Sequence, residues 1–589
     1  MALLYAVSSA FVAAGMVTLM LGIALASDKT ADSQSSSKQA NFLASGALES
    51  AKKTVQESIA NWASQPESGT VQIDGHQATY TVRPTGFSRT VADEAGIQTI
   101  ETGYEIRAVA TEGGVPSQAF RVINSLSTPL FQFAVFYDGD LEIMPGPSMA
   151  ISGRVHTNQD MYLGSNNTLR LNTNYVHAVG SMFRNRKDDP SQSLGTVNIR
   201  KWVANPFSGS EPTSYFRMDS KSQLGGVPSS GGYDAHFTSG YDGNGDGDFL
   251  DVGDWLPWGP GAQTYWAQPS GYAGGTGQTV QDASHGVNSS APPPIESISM
   301  YEPAAGGVGD WSLSGSDWTY TPGAGTHQKG FYHSNAGLTI VANAAHTGWT
   351  AYNSSGVDVT SSIPAGAVTL SSIYDARQAG GSSGSSTKVK VIKVDMSILQ
   401  TSTKWPTNGL LYFGCNGTGT GTNAKGVQLV NGSSLPGKLT VVTDGSMYVQ
   451  GNYNTSAKKG CALIGDAVNL LSNAWNGTKA KGTGVPNASA TTYNAAIVTG
   501  NTNTVAGSVY SGGFENLPRF HENWAGVNCN ITGSFVNFWN SKYATGPWGL
   551  SGVYSAPNRV WGYDPFFNTV ANLPPFTPMA VVAVDVVCW

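Results

Sequence analysis

The chain has 589 residues, too many for one ordinary core, so two to four units or one long repetitive unit are expected. Only 12% of the residues are charged and 72 are glycine, the composition of a turn-rich, all-β extracellular protein rather than a helical cytosolic enzyme. The 32 basic and 39 acidic residues leave a formal charge of -7 without a basic stripe, which argues against nucleic acid as a partner.

No charge precedes Asp28, and the apolar run from Ala2 to Ala26 is long enough, at about 1.5 Å per residue, to cross a hydrocarbon core of roughly 30 Å. Ala24-Leu25-Ala26 has the spacing of a signal-cleavage site, but a secretory signal would carry Lys or Arg ahead of the apolar run. A plain anchor would end in a basic stop-transfer cluster. Instead Ala40, Ala44, Leu48, Ala51, Val55, Ile59 and Trp62 recur every three or four residues, with Lys38, Glu49, Lys52, Lys53 and Glu57 between them, the pattern of an amphipathic helix. Proline is absent before Pro66, so one helix is expected over 1–62, apolar in 1–27 and amphipathic in 28–62. Leu3, Leu4, Tyr5, Val7, Phe11, Val12, Met16, Leu19, Met20 and Ile23 would then face lipid or neighbouring copies, while the second half packs on its own domain.

Residues 63–127 hold two segments of near period-two alternation with an internal Gly turn, "TVQIDGHQATYTVRP" and "TGYEIRAVATEGGVPSQAFRVIN". They read as two hairpins of a small antiparallel sheet, which with the helix makes an α+β module. From 128 to 185 short apolar pulses follow one another: Leu141 and Ile143, Met149 and Ile151, Val155, Met161 and Leu163, Leu169 and Leu171. The segments "VHTNQDMYLGSNN" at 155 and "VVTDGSMYVQGNYN" at 441 look like one motif used twice. Such pulses between Asn, Asp and Gly turns suggest a large all-β domain built as a parallel β-solenoid, with a β-sandwich as the alternative. Residues 186–330 read as a loop-rich insertion, and 331–589 as the continuation of the solenoid with a closing segment.

The insertion contains "YDGNGDGDFLDVGDW", in which Asp242, Asn244 and Asp246 stand at positions 1, 3 and 5, Gly247 at the turn and Asp248 at position 7. Alternating oxygen donors on a tightly curled backbone suit Ca2+, a hard cation taking six to eight oxygens. Position 12 is Gly253, flanked by Asp251 and Asp254, either of which would supply the remaining carboxylate. Cys415, Cys461, Cys529 and Cys588 are disulfide candidates with three possible connectivities, and the chain has no CxxC to suggest zinc. Gly380–Gly384 matches G-x-S-x-G but lacks the strand before it and the helix after it that a nucleophile elbow requires. His156 and His521 have acids nearby in sequence, Asp160 and Glu522, and sit in polar turns where hydrogen-bonding structure is the expected role. Aromatic-rich loops such as residues 254–266 suit stacking on glycans or subunit contacts.

The apolar run followed by "ANFLASGALESAKKTV" resembles the amino-terminal layout of type IV pilins, in particular the large PilX-type pilus assembly proteins. Further on, Phe133-Ala134-Val135-Phe136 through Gly153-Arg154-Val155-His156-Thr157-Asn158 and the segments "GGFENLPRFHENW", "GSFVNFWNSKYATGPW" and "YSAPNRVWGYDPFF" are similar to motifs of the same family. Tyr5 stands where that family usually has Glu. The resemblance implies a non-enzymatic structural subunit of an extracellular pilus-like filament. Such a subunit is held in the inner membrane before assembly, polymerises with itself and other pilin-like subunits, and displays its head for adhesion, with surface glycans as candidate contacts. Two other readings are a minor pilin or tip adhesin that initiates another filament, and a membrane-tethered solenoid enzyme acting on polysaccharide.

Overall fold

A computed structural model describes the backbone of residues 2–60, 69–93, 96–183, 186–189, 195–200, 215–217, 280–281, 287–290, 292–303, 310–314, 317–321, 327–375, 377–378, 388–415, 424–477, 485–505, 507, 510–546 and 553–588. The chain divides into two compact units. The first comprises Met1–Val91, Thr99–Ser127 and Val581–Trp589, the second Ala92–Gln98 and Thr128–Ala580.

In the first unit a single helix, α1 (Ala2–Ala60), passes unbroken through Gly15, Gly22 and Gly46. Its second half buries Ala40, Leu43, Ala44, Ala47, Leu48, Ala51 and Val55, all on one stripe at three- and four-residue spacing. Alanine dominates that stripe because the helix lies close on its sheet. At Gly46 even a Cβ atom would come within 2.6 Å of the Ile73 side chain. The sheet supplies Ala78, Tyr80, Tyr104, Ile106, Ala108, Ala110 and Ile123 to the shared core. Charge reinforces the packing, since the nearly buried Arg121 pairs with Glu49 of the helix at 2.6 Å and with Asp585 at 3.6 Å, while Lys52 reaches Asp585 at 3.1 Å.

Two hairpins make most of that sheet. β1 (Gly69–Ile73) and β2 (His76–Ala92) pair antiparallel up to Ile73 and His76, around a turn in which Asp74 and Gly75 both have positive φ. β3 (Gln98–Glu112) and β4 (Val115–Pro129) do the same around Gly113 and Gly114, with φ of 52° and 79°. Positive φ at both central residues matches the right-handed twist of the flanking strands, which is why Asp-Gly and Gly-Gly stand there. The fifth strand is the strand Met579–Cys588, next to β4 in the sheet order. Its alternation fits one covered and one open face, with Val581 and Ala583 buried while Val582 and Val584 are exposed.

The second unit is mostly parallel sheet. β5 (Val135–Tyr137), β6 (Leu141–Ile143) and β7 (Met149–Ser152) follow one another, and each is then paired in parallel by a strand one circuit later. β8 (Val155–Thr157) lies on β5, β9 (Met161–Leu163) on β6 and β10 (Thr168–Asn172) on β7. β11 (Val176–Ala178), β12 (Met182–Phe183) and β13 (Thr196–Arg200) repeat the pattern once more. Register places like above like, Val135, Val155 and Val176 in one column and Leu141, Met161 and Met182 in another, all buried. The later chain alternates in the same way between two parallel series. One contains Leu410–Cys415, Leu439–Thr443, Cys461–Gly465, Thr491–Thr499 and Asn528–Asn537; the other contains Lys388–Asp395, Lys425–Val430, Ser446–Gln450, Ala467–Leu471 and Arg519–Phe520. Strand Asn528–Asn537 then pairs in parallel with β5, Phe535 opposite Val135, so both stretches share one sheet and one core. Antiparallel partners occur at the flanks, as in Leu338–Ala342 with Trp349–Asn353, so the sheets are mixed. Parallel stacking of successive circuits departs from the antiparallel pairing of the β-sandwich alternative.

The repeated sequence motif is a repeated structure. Thr157 and Thr443 each end a strand, and each hydroxyl accepts from the backbone N–H two residues on, Gln159 at 3.4 Å and Gly445 at 3.3 Å. Met161 then opens the next strand and Met447 stands second in its own, both inside the core.

We predict that Leu48→Ala lowers the stability of the first unit by about 2–5 kcal/mol, the cost of a cavity between helix and sheet. Phe42→Ala on the opposite face, where Phe42 is 63% exposed, stays within about 0.5 kcal/mol. Urea unfolding of the two variants checks the contrast.

Candidate functional site

The first half of α1 exposes a continuous run of large apolar side chains. Phe11 is 76% exposed, and Val12, Met16, Val17, Leu19, Met20, Leu21, Ile23 and Leu25 are all more than half exposed. The side chains of Leu3, Leu4, Tyr5 and Val7 lie outside the described residues. By length and composition this helix can cross a membrane, and none of its most apolar stretch is buried in the chain. Two of its hydroxyls are satisfied by the helix itself: Thr18 donates to the Ala14 carbonyl and Thr30 to the Ala26 carbonyl, both at 2.7 Å. Fully burying one such apolar side chain is worth roughly 1.5–3 kcal/mol, so this stripe in water carries a large unspent driving force.

The calcium-type loop, Asp242, Asn244, Asp246, Asp248, Asp251 and Asp254, lies outside the described residues, as does the G-x-S-x-G at 380–384. Among the described residues no group of three or more His, Cys, Asp or Glu is placed to hold a metal ion. Cys415, Cys461 and Cys529 are buried thiols in no disulfide, which corrects the disulfide expectation for these three; the Cys588 side chain lies outside the described residues. The reason is register. Strand Leu439–Thr443 separates the strands of Cys415 and Cys461, and strand Thr491–Thr499 separates those of Cys461 and Cys529. An intervening strand imposes about 9.5 Å, beyond the roughly 7 Å that a disulfide spans. Burial pushes the Cys461 and Cys529 thiols up to about 12, so all three act as small core residues.

The two histidines are structural. His156 stacks on Phe136 with ring centroids 5.3 Å apart and bonds Asn158 Oδ1 through Nε2 at 3.1 Å; burial pulls its pKa down to about 4. His521 is wholly enclosed, its Nε2 bonded to Asn469 Oδ1 at 2.8 Å, and burial likewise takes it to about 4. Their sequence neighbours serve backbone instead: Asp160 accepts from Ser181 N at 2.8 Å, and Glu522 from both the N–H and the hydroxyl of Ser472 at 2.6 Å.

Three polar clusters lie inside the second unit, and of their members the sequence analysis singles out His521 alone. In the first, Glu515 accepts from the Tyr510 hydroxyl at 2.5 Å and from Met144 N at 3.1 Å, while Glu142 accepts from Thr504 at 2.6 Å. Burial raises Glu142 and takes Glu515 to about 7, against the weaker pull of Arg559. In the second, the partly buried Asp444 accepts from Cys415 N at 2.9 Å, and desolvation drives it likewise to about 7. The third gathers Asp375, Arg377, Tyr448, Arg519 and His521. Tyr448 donates to Asp375 Oδ2 at 2.6 Å, Arg377 N to Oδ1 at 2.7 Å, and His521 Nδ1 stands 3.7 Å from Oδ1. Burial opposes ionisation of Asp375, but His521, Tyr448 and Arg377 N together hold its pKa below the ordinary value. Glu515, Arg519 and His521 all fall within the segment "GGFENLPRFHENW", whose similarity to pilin-family motifs was the signal that could have found them; Asp375 and Arg377 stand two residues apart outside any quoted motif.

No family model matches the chain, and no curated protein matches it. Among solved structures the chain is similar to the competence-associated pilin ComZ from Thermus thermophilus. The likeness covers 94% of this chain and 98% of that chain at 10% identity, with a TM-score of 0.25, too low to carry an argument.

Two outcomes follow from the burial. A thiol reagent leaves Cys415, Cys461 and Cys529 unmodified in the native protein and labels them after denaturation, read by mass spectrometry of the digested chain. Glu515 has a folded pKa of about 7 against an ordinary 4.5, so the native state binds the extra proton between those values. Its contribution to stability therefore falls as pH rises through that window and is fully lost above it. Glu515→Gln should flatten the stability profile between pH 5 and 8, measured by thermal melts, with the gain over wild type confined to the upper end.

Proposed function

We propose that the chain is a structural subunit of an extracellular, type IV pilus-like filament, stored in the inner membrane through the first half of α1 and polymerised by it. The observation that carries this reading is the split burial of one continuous helix. From Ala40 to Val55 it is fastened to its own sheet, while from Phe11 to Leu25 it offers apolar side chains to something outside the chain. Lipid satisfies that surface before assembly, and copies of the same helix satisfy it afterwards. The parallel circuits of the second unit make a β-solenoid head, displayed for contact with other surfaces or glycans. A structural rather than catalytic role is supported by His156 and His521, both enclosed and neutral near pH 7. Ca2+ bound at Asp242, Asn244, Asp246, Asp248 and one of Asp251 or Asp254 would stiffen the loop-rich insertion; calorimetric titration of the chain with Ca2+, lost in Asp246→Asn, tests that part.

Negative-stain microscopy of the purified chain tests the assembly. Uniform filaments from this chain alone are the expected result. Leu19→Lys should abolish them, since a central Lys costs about 2.5–3.5 kcal/mol in an apolar helix environment, while the thermal melt of the head stays unchanged. Single particles under every condition would overturn the reading and favour a minor subunit or a tethered monomer.

A further inference from the structure

The third buried cluster is unbalanced in a specific way. Its carboxylates are already engaged by other donors: Asp375 takes the Tyr448 hydroxyl, Arg377 N and, at 3.3 Å, Gln378 Nε2. Asp466 nearby takes the backbone N–H groups of Lys542, Tyr543 and Ala544 at 2.5, 3.1 and 3.2 Å. Arg519 spends its guanidinium on the carbonyl oxygens of Arg377, at 3.3 Å, and of Ala544. Arg377 is left over. It is 3% exposed, its Nε and Nη1 are buried with no hydrogen-bond partner among the described residues, and its guanidinium lies 5.8 Å over the Tyr554 ring.

An enclosed guanidinium stays protonated, and burying it unpaired costs several kcal/mol. A ring face offsets part of that cost but accepts no N–H hydrogen bond in the guanidinium plane. Arg519 alongside adds a second positive charge, and the Arg377 shift runs downward through burial and then through Arg519, against the smaller opposing pull of Tyr554 and Asp375. The gap therefore calls for negative charge rather than a neutral oxygen. Because Arg377, Arg519 and His521 are almost wholly enclosed, the missing partner has to be small.

We propose that the second unit holds one small inorganic anion of the halide class against the Arg377 guanidinium, in the positive field that Arg519 adds, as a built-in structural ligand. It ties the segment Asp375–Gln378 to the strand Arg519–Phe520, two parts of the chain that no strand pairing joins directly among the described residues.

The test uses the full chain in detergent. Crystals soaked in sodium bromide should give an anomalous peak within about 4 Å of the Arg377 guanidinium, as an N–H to halide hydrogen bond requires. In thermal melts at fixed ionic strength, replacing gluconate by bromide or chloride should raise the wild-type midpoint saturably, and Arg377→Met should abolish that response. A wild-type chain without the peak, or a variant that keeps the full response, overturns the proposal. A peak without any change in midpoint marks an adventitious ion only and also overturns it, and tetrahedral density that phosphate or sulfate brings in place of bromide overturns the halide assignment. If Arg377→Met does not fold, the bromide peak and the wild-type titration decide alone.

Discussion

The second unit depends on one parallel pairing, that of strand Asn528–Asn537 with Val135–Tyr137. The first circuits are laid outward from Val135, and the later circuits start far from it and advance until Phe535 meets Val135. Without that meeting the molecule has two short stacks, each with an open end and a row of unpaired N–H and carbonyl groups. With it there is one twelve-stranded sheet and one continuous core reaching from Leu130 to Ala580. The contact closes across about four hundred residues of chain, so it is among the most expensive in loop entropy and among the last that folding can secure.

A chain with so few charges needs other means to keep its stacked turns in place. Asparagine supplies them. Asn473 donates to Asn452, Asn523 to Asn487 and Asn558 to Asn528, at 3.0 to 3.2 Å, each across neighbouring circuits. An amide offers donor and acceptor at once, so a column of them extends indefinitely without accumulating charge. The acids that do occur inside are capped by backbone N–H groups or hydroxyls more often than by Lys or Arg. The cost is paid in proton affinity, as Asp444 and Glu515 show.

The helix, its two faces and the two hairpin turns were legible because they rest on short-range pattern: spacing of Ala and Leu, a missing proline, Asp-Gly and Gly-Gly between alternating strands. The pulses at Leu141, Met149, Met161 and Leu169 were legible for the same reason, and so was the motif shared by residues 155 and 441. Stacking order was not, since nothing near Val135 announces that its neighbour will be Phe535. The cysteines misled because wide spacing in a secreted-looking chain suggests bridges, while their burial on different strands of one sheet is decided only by register. Arg377 and Arg519 were overlooked because a buried cation is recognisable only from what surrounds it in three dimensions.

The position of strand Met579–Cys588 has a mechanical consequence. It lies beside β4 in the small sheet, so the chain of the second unit leaves the first by one strand and returns by its neighbour. Ala583 joins a core that Leu43 and Ala78 also line. Cutting either connection alone therefore leaves the second unit tethered through the other, and stripping the returning strand away exposes the edge of β4 with its unpaired N–H and carbonyl groups.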